Sequence, residues 1–235
     1  MSLFKPVQVT CPVCGTPTSF DMVHSVNADR RPDLRAQILD RTFQMIPCPG
    51  CGEKYRVEPE FTLMNMAKGE FLAVWPSTEL LHWVDAERRS KAAFDSAYGP
   101  GAPKAAAEIG RELHPRVAFG WEAAREKLLG RDLDIDDHTL ELAKIALLRT
   151  QDDLLIGPGN ALRLMAVDDE QNLVFGVFPT GAPAPEEELR VPRALLDEID
   201  AEPDWAVLRE QLSAGMFVDM LRLIVEPTPA TAAAA

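Results

Sequence analysis

Along residues 18–26, Phe20, Met22, His24 and Val26 fall on one face and Ser19, Asp21 and Ser25 on the other, with Val23 out of step. A period of two is the pattern of a half-buried strand. Similar short patterns at 7–10, 42–47, 53–57, 61–66 and 71–75 predict further strands. One helix interrupts them. Pro32 suits an early helical position, and Leu34 and Ile38, four residues apart, give an apolar face through about Asp40.

Beyond Pro76 the period changes. Ser77 and Thr78 ahead of Glu79 form a helix start, and a helical pattern runs to about Tyr98. After the loop 99–103 come a short helix at 104–113, a brief strand at 116–120, and a helix at 121–129 with Glu122 and Arg125 on its wet side. The acids from Asp132 to Asp137 alternate like a calcium loop. The spacing fails, because the sixth position is Asp137 where glycine is needed and the twelfth is Ala143 where Glu is needed. They are read instead as the capped start of a helix at 138–149, with Leu140, Ile145, Leu147 and Leu148 in the core. The last third predicts strands at 161–166 and 172–178 around the acidic turn 168–171, and a solvated loop at 183–188. It also predicts helices at 191–199 and 202–212, a final strand at 216–225 and a disordered tail at 227–235. Gly157-Pro-Gly159 lacks the spacing of a phosphate loop and is read as a turn.

The expected class is α+β. A zinc-ribbon-like domain with an inserted helix spans 1–76, a helical segment 77–150 and an acidic α+β segment 151–226. With 46% hydrophobic residues in 235, there is enough apolar material for a real core. No uninterrupted apolar run is long enough for a membrane span, and the first residues lack a signal peptide's apolar core, which predicts a cytoplasmic protein. The formal charge is −13, and it is unevenly placed. Residues 1–66 carry 7 Lys/Arg against 7 Asp/Glu, and residues 151–235 carry 5 against 16. Such a field opposes loose association with nucleic acid or anionic lipid.

All four cysteines lie in the neutral first third, as Cys11-Pro-Val-Cys14-Gly15 and Cys48-Pro-Gly-Cys51-Gly52. In a Cys-x-x-Cys-Gly turn both thiolates can face one ion, and the glycine can take the positive φ that closes the turn. Two such units supply the four sulfurs of a closed, structural zinc site. The competing readings are a redox pair or an iron centre. A catalytic zinc is disfavoured, because four thiolates leave no open position.

Those two units, together with Ser25-Val-Asn27, Asp33-Leu34 and Ile38-Leu39 between them, resemble the CpXC proteins over residues 9–75. A second stretch, 119–127 followed by 135–144, is similar to a segment that follows the domain in longer members. The resemblance implies bacterial origin and a four-cysteine metal site, and it brings no established activity. The leading expectation is a non-catalytic, zinc-stabilised interaction or scaffold protein whose partner is another protein. Its ligands are Cys11, Cys14, Cys48 and Cys51, its cofactor is one zinc ion, and no residue is assigned a catalytic role. His24, on the strand after the first knuckle, is a candidate for support of the ligands. The alternative is a nucleic-acid-binding zinc ribbon using Arg30, Arg31, Arg35, Arg41 and Tyr55. A third reading is a hydrolase using the carboxylates Asp152-Asp153 and Asp168-Asp169-Glu170.

Overall fold

The structure, a computed structural model, describes residues 2–151 and 154–228; Asp152, Asp153 and most of the expected tail, residues 229–235, lie outside the described residues. In chain order the elements are β1 (Leu3–Thr10), β2 (Pro17–Asn27), α1 (Pro32–Leu39), β3 (Met45–Pro47), β4 (Lys54–Arg56), β5 (Phe61–Asn65), β6 (Glu70–Trp75), α2 (Trp83–Tyr98), α3 (Lys104–Glu112), β7 (His114–Phe119), α4 (Gly120–Asp132), α5 (Asp137–Thr150), β8 (Asn160–Val167), β9 (Asn172–Pro179), β10 (Glu187–Pro192), α6 (Ala194–Ala201), α7 (Ala206–Ser213) and α8 (Leu221–Ile224).

A five-stranded sheet runs in the order β1-β2-β5-β6-β7. Its β2–β5 and β6–β7 pairs are parallel and the other two antiparallel. Phe71-Leu-Ala-Val74 in β6 shows no polar alternation because both of its faces are covered. Leu72 and Val74 join Leu63, Leu34, Ile38 and Leu128 beneath α1 and α4. Phe71 and Ala73 turn the other way, against Val117, Phe119 and Phe217, where α2, α3 and the C-terminal residues cover the sheet. Burying a side chain such as Leu72 stabilises the fold by about 1.5–3 kcal/mol. A second sheet, β10-β9-β8, is antiparallel and packs on α5, α6 and α7 through Leu140, Leu147, Phe175, Ile199 and Leu212. The class is α+β, and the N-terminal sheet with its four cysteines is zinc-ribbon-like. β7 completes that sheet from within residues 77–150, and each of the three cores draws side chains from more than one of the segments read in the sequence.

Several elements differ from expectation. In β2 the register slips: Leu3 faces Ser25 and Phe4 faces Val23, leaving His24 in a bulge. The extra residue lets both Val23 and Val26 enter one core, which explains why Val23 broke the alternation. Residues 42–47 are only partly strand, β3 being Met45–Pro47, because Gln44 turns the chain at φ 60°. Residues 187–192, expected as loop and helix start, form the edge strand β10, whose run of glutamates suits an exposed edge and whose Pro192 ends it. Residues 216–225, expected as a strand, form a buried loop and the short helix α8. Their apolar run marks burial rather than strand, and the N–H groups of Met220 and Leu221 are taken by carboxylates described below. Finally, Glu122 and Arg125 do not form a wet pair: Glu122 binds Arg41 and Arg125 donates to the carbonyls of Leu39 and Met165.

Candidate metal centre

Each cysteine pair sits at the tip of a hairpin. Thr10–Pro17 is the last pair of β1–β2 before the first knuckle, and Pro47–Lys54 is the last pair of β3–β4 before the second. The two turns are built alike. Gly15 N donates to Cys11 O at 3.0 Å and Gly52 N to Cys48 O at 2.9 Å; Cys11 N donates to Thr16 O and Cys48 N to Glu53 O. Both glycines take positive φ, +73° and +78°, where a side chain would be strained.

The hairpins bring all four sulfurs within 4.8 Å of one another. Cys11 Sγ lies 3.8 Å from Cys51 Sγ, and Cys14 Sγ lies 3.5 Å from Cys48 Sγ, so each close pair spans the two knuckles. Four sulfurs in a regular tetrahedron at zinc–sulfur distances of about 2.3 Å stand about 3.8 Å apart. The spacing therefore fits one ion, and it is far from the roughly 2.05 Å of a disulfide. Cys11 and Cys48 are buried, whereas Cys14 and Cys51 face outward.

The thiols are driven apart in acidity. The Thr16 hydroxyl, 3.2 Å from Cys14 Sγ, and the Thr16 backbone lower the Cys14 thiol to about 6. The backbone N–H of Cys51 lowers Cys48. At Cys51 the N–H of Glu53 pulls down, but burial and the three neighbouring sulfurs prevail and push it up to about 12. Burial and the neighbouring sulfurs oppose ionisation of all four thiols together, and a bound cation would supply the charge that deprotonates the last one. Thr16 is a supporting residue that the sequence reading missed, although a hydroxyl directly after the Cys-x-x-Cys-Gly turn was visible. The groups reaching the sulfurs include Thr16 and the N–H groups of Gly50, Cys51 and Glu53, and His24, in its bulge, is not among them.

A second cluster of candidate ligands, Glu126, Glu141 and Asp219, is fully buried but already complete. Lys144 Nζ lies 3.0 Å from Glu126 and 2.7 Å from Glu141, Arg163 lies 2.9 Å from Glu126 and 2.5 Å from Asp219, and Lys127 lies 3.1 Å from Glu141. Each carboxylate also accepts one backbone N–H, from Leu164, Met220 and Leu221 respectively. Three acids against three bases make this an internal charge lattice that ties α4, α5 and β8 to the C-terminal loop. The third acidic group, Asp136, Asp137 and His138, opens α5 as expected: Asp136 accepts from Thr139 N at 2.9 Å, and Asp137 pairs with Arg116.

The expected arginine patch is not assembled. Arg35 is buried and grips Glu70 and Asp132, Arg41 grips Glu122 and Arg31 grips Asp33. Three of the four guanidiniums are thus held by carboxylates. In the turn at 168–171, Asp168 accepts the N–H groups of Glu170 and Asn172 while Asp169 and Glu170 face solvent, so these acids shape the turn and do not converge. Among the described residues no helix is long and apolar enough to cross a membrane.

The family model described as CpXC protein matches residues 9–144, taking in both knuckles, β7, α4 and most of α5. Among curated proteins and among solved structures, none matches this chain.

Proposed function

This chain belongs to the CpXC protein family, and on that premise we propose that its four cysteines hold one structural zinc ion and that the clamped module serves as a non-catalytic binding scaffold for another protein in the bacterial cytoplasm. The observation that carries the metal reading is that four sulfurs from two matched knuckles lie within 4.8 Å of one another, two of the pairs at 3.5 and 3.8 Å. Four sulfurs all within 4.8 Å of one another leave room for one ion and none for a multi-iron cluster, and an all-sulfur shell suits zinc. A saturated shell holds structure and leaves no position for substrate, which favours scaffolding over catalysis. Val13, at the tip of the first knuckle and 67% exposed, offers an apolar contact for a partner protein.

The test is metal analysis of the purified protein and of Cys48→Ser, with limited proteolysis of both. One zinc per chain, lost in the variant together with protection of the β3–β4 hairpin, is expected because ligation and folding are coupled. No stoichiometric metal, or full retention by Cys48→Ser, overturns the metal reading. Affinity purification of the two proteins, with and without nuclease, then tests the scaffold: a nuclease-resistant protein partner lost with the metal supports it, and recovery of nucleic acid from the untreated sample instead refutes it.

A further inference from the structure

A cavity of about 490 Å³ lies where the β3–β4 hairpin, the start of α4 and the end of the β8–β9 hairpin meet. That size is within the range of small-molecule sites. Its wall carries Arg41, Lys54, Arg56 and Arg163 against Glu58 and Glu122. Arg41 is matched by Glu122, Arg163 by Glu126 and Asp219, and Glu58 accepts the N–H of Ser77. Among the described residues Lys54 and Arg56 have no carboxylate partner, so the wall keeps a positive excess in a chain of net charge −13.

Arg56 is fixed for recognition. Its Nε donates to Phe43 O at 2.8 Å, and its guanidinium lies 3.7 Å from the ring centre of Trp121, whose own Nε1 is held by Val57 O. Its Nη2 is buried and has no hydrogen-bond partner. Burial lowers the Arg56 guanidinium to about 10, with Arg41 adding to the effect and Glu122 and Glu58 only partly offsetting it. An unmatched buried donor on a cation is costly, and the chemistry that relieves it is an oxyanion. The wall also carries apolar side chains, among them Phe178, Met45 and Phe119.

We propose that this cavity binds a small organic anion, its carboxylate or phosphate taken by Arg56 and Lys54, which share one face of β4, and its apolar body resting against Phe178 and Met45. The site is separate from the scaffold reading, although β4 carries three of its residues directly after the second knuckle.

The test uses the full-length, metal-loaded protein and the fluorescent aromatic sulfonate 8-anilinonaphthalene-1-sulfonate. Saturable binding at one site per chain is expected, weakened by at least about tenfold in Arg56→Met, as loss of a charge-assisted hydrogen bond implies. Lys54→Met should weaken binding by about threefold, and Arg30→Met should not change it. Competition separates the two head groups: displacement by phenyl phosphate but not benzoate assigns a phosphate, and the reverse assigns a carboxylate. Binding that does not saturate, that neither competitor displaces, or that survives both Arg56→Met and Lys54→Met unchanged overturns the proposal.

Discussion

Replacing Lys144 by Met should destabilise the protein by about 3–5 kcal/mol, the range for removing one partner from a buried ion pair. Lys144 has no exposed surface, and its ammonium lies between Glu126 and Glu141 at 3.0 and 2.7 Å. The lattice balances three carboxylates with three cations, so the substitution strands one negative charge where water does not reach. Met replaces most of the lysine stem, which keeps the loss from being a cavity effect. In a chain of this size the expected fall in Tm is about 6–20 °C by calorimetry near pH 8. The deficit also has a pH signature. Burial already pushes the Glu141 carboxyl up against the pull of Lys144 and Lys127, and without Lys144 it rises further. A carboxyl with a raised folded pKa binds a proton more tightly in the folded state, so its stabilising contribution is present at low pH and lost as pH rises. The gap between variant and parent should therefore shrink between about pH 8 and about pH 5. Adding Glu141→Gln should recover much of the loss, because it removes the stranded charge. Equal Tm values, or a gap unchanged across that pH range, would refute the view that charge balance holds α4, α5 and the C-terminal loop together.

At the metal centre, a Cβ on Gly50 would lie 2.3 Å from Thr16 Oγ1, so Gly50→Ala displaces the hydroxyl that reaches Cys14. Zinc affinity by chelator competition should drop about tenfold, as for other losses of ligand support, and an unchanged affinity would remove Thr16 from that role. Acid unfolding is predicted as well. Burial pushes the carboxyls of Asp137 and Asp219 up, but Lys127 and Arg116 outweigh it at the first and Arg163, Lys144 and Lys127 at the second, holding each at about 2. Depressed carboxyls stabilise the fold above their unfolded value of about 4, and that contribution disappears between about pH 4 and pH 2. Circular dichroism should follow a cooperative loss of structure in that window, and a flat signal through it would contradict the assignment.

What local spacing decides was readable in the chain; what long-range pairing decides was not. The two knuckles follow from cysteines three positions apart with a glycine behind them, and the structure closes both with the same pair of backbone hydrogen bonds. β6 was readable as a strand although it lacks alternation, because a short apolar run bounded by Gly69 and Pro76 leaves few other options. Val23 looked like an error in the pattern only because the bulge that accommodates it depends on pairing with β1. The charges were hardest. Glu126, Glu141 and Lys144 occupy helix positions that on composition alone read as solvated, and only the approach of Arg163 and Asp219 from remote parts of the chain makes them internal. The same partners explain the missed helix α8: Glu141 and Asp219 take the N–H groups of Met220 and Leu221, so that run, apolar apart from Asp219 and Arg222, is held as loop and helix where its composition reads as strand. The cavity beside Arg56 has walls drawn from three distant stretches, and its unmatched guanidinium exists only because Glu122, which comes near it, is taken by Arg41. A cation's partner is thus a property of the fold, and a candidate site made of unmatched charges emerges only once every nearby carboxylate has been assigned.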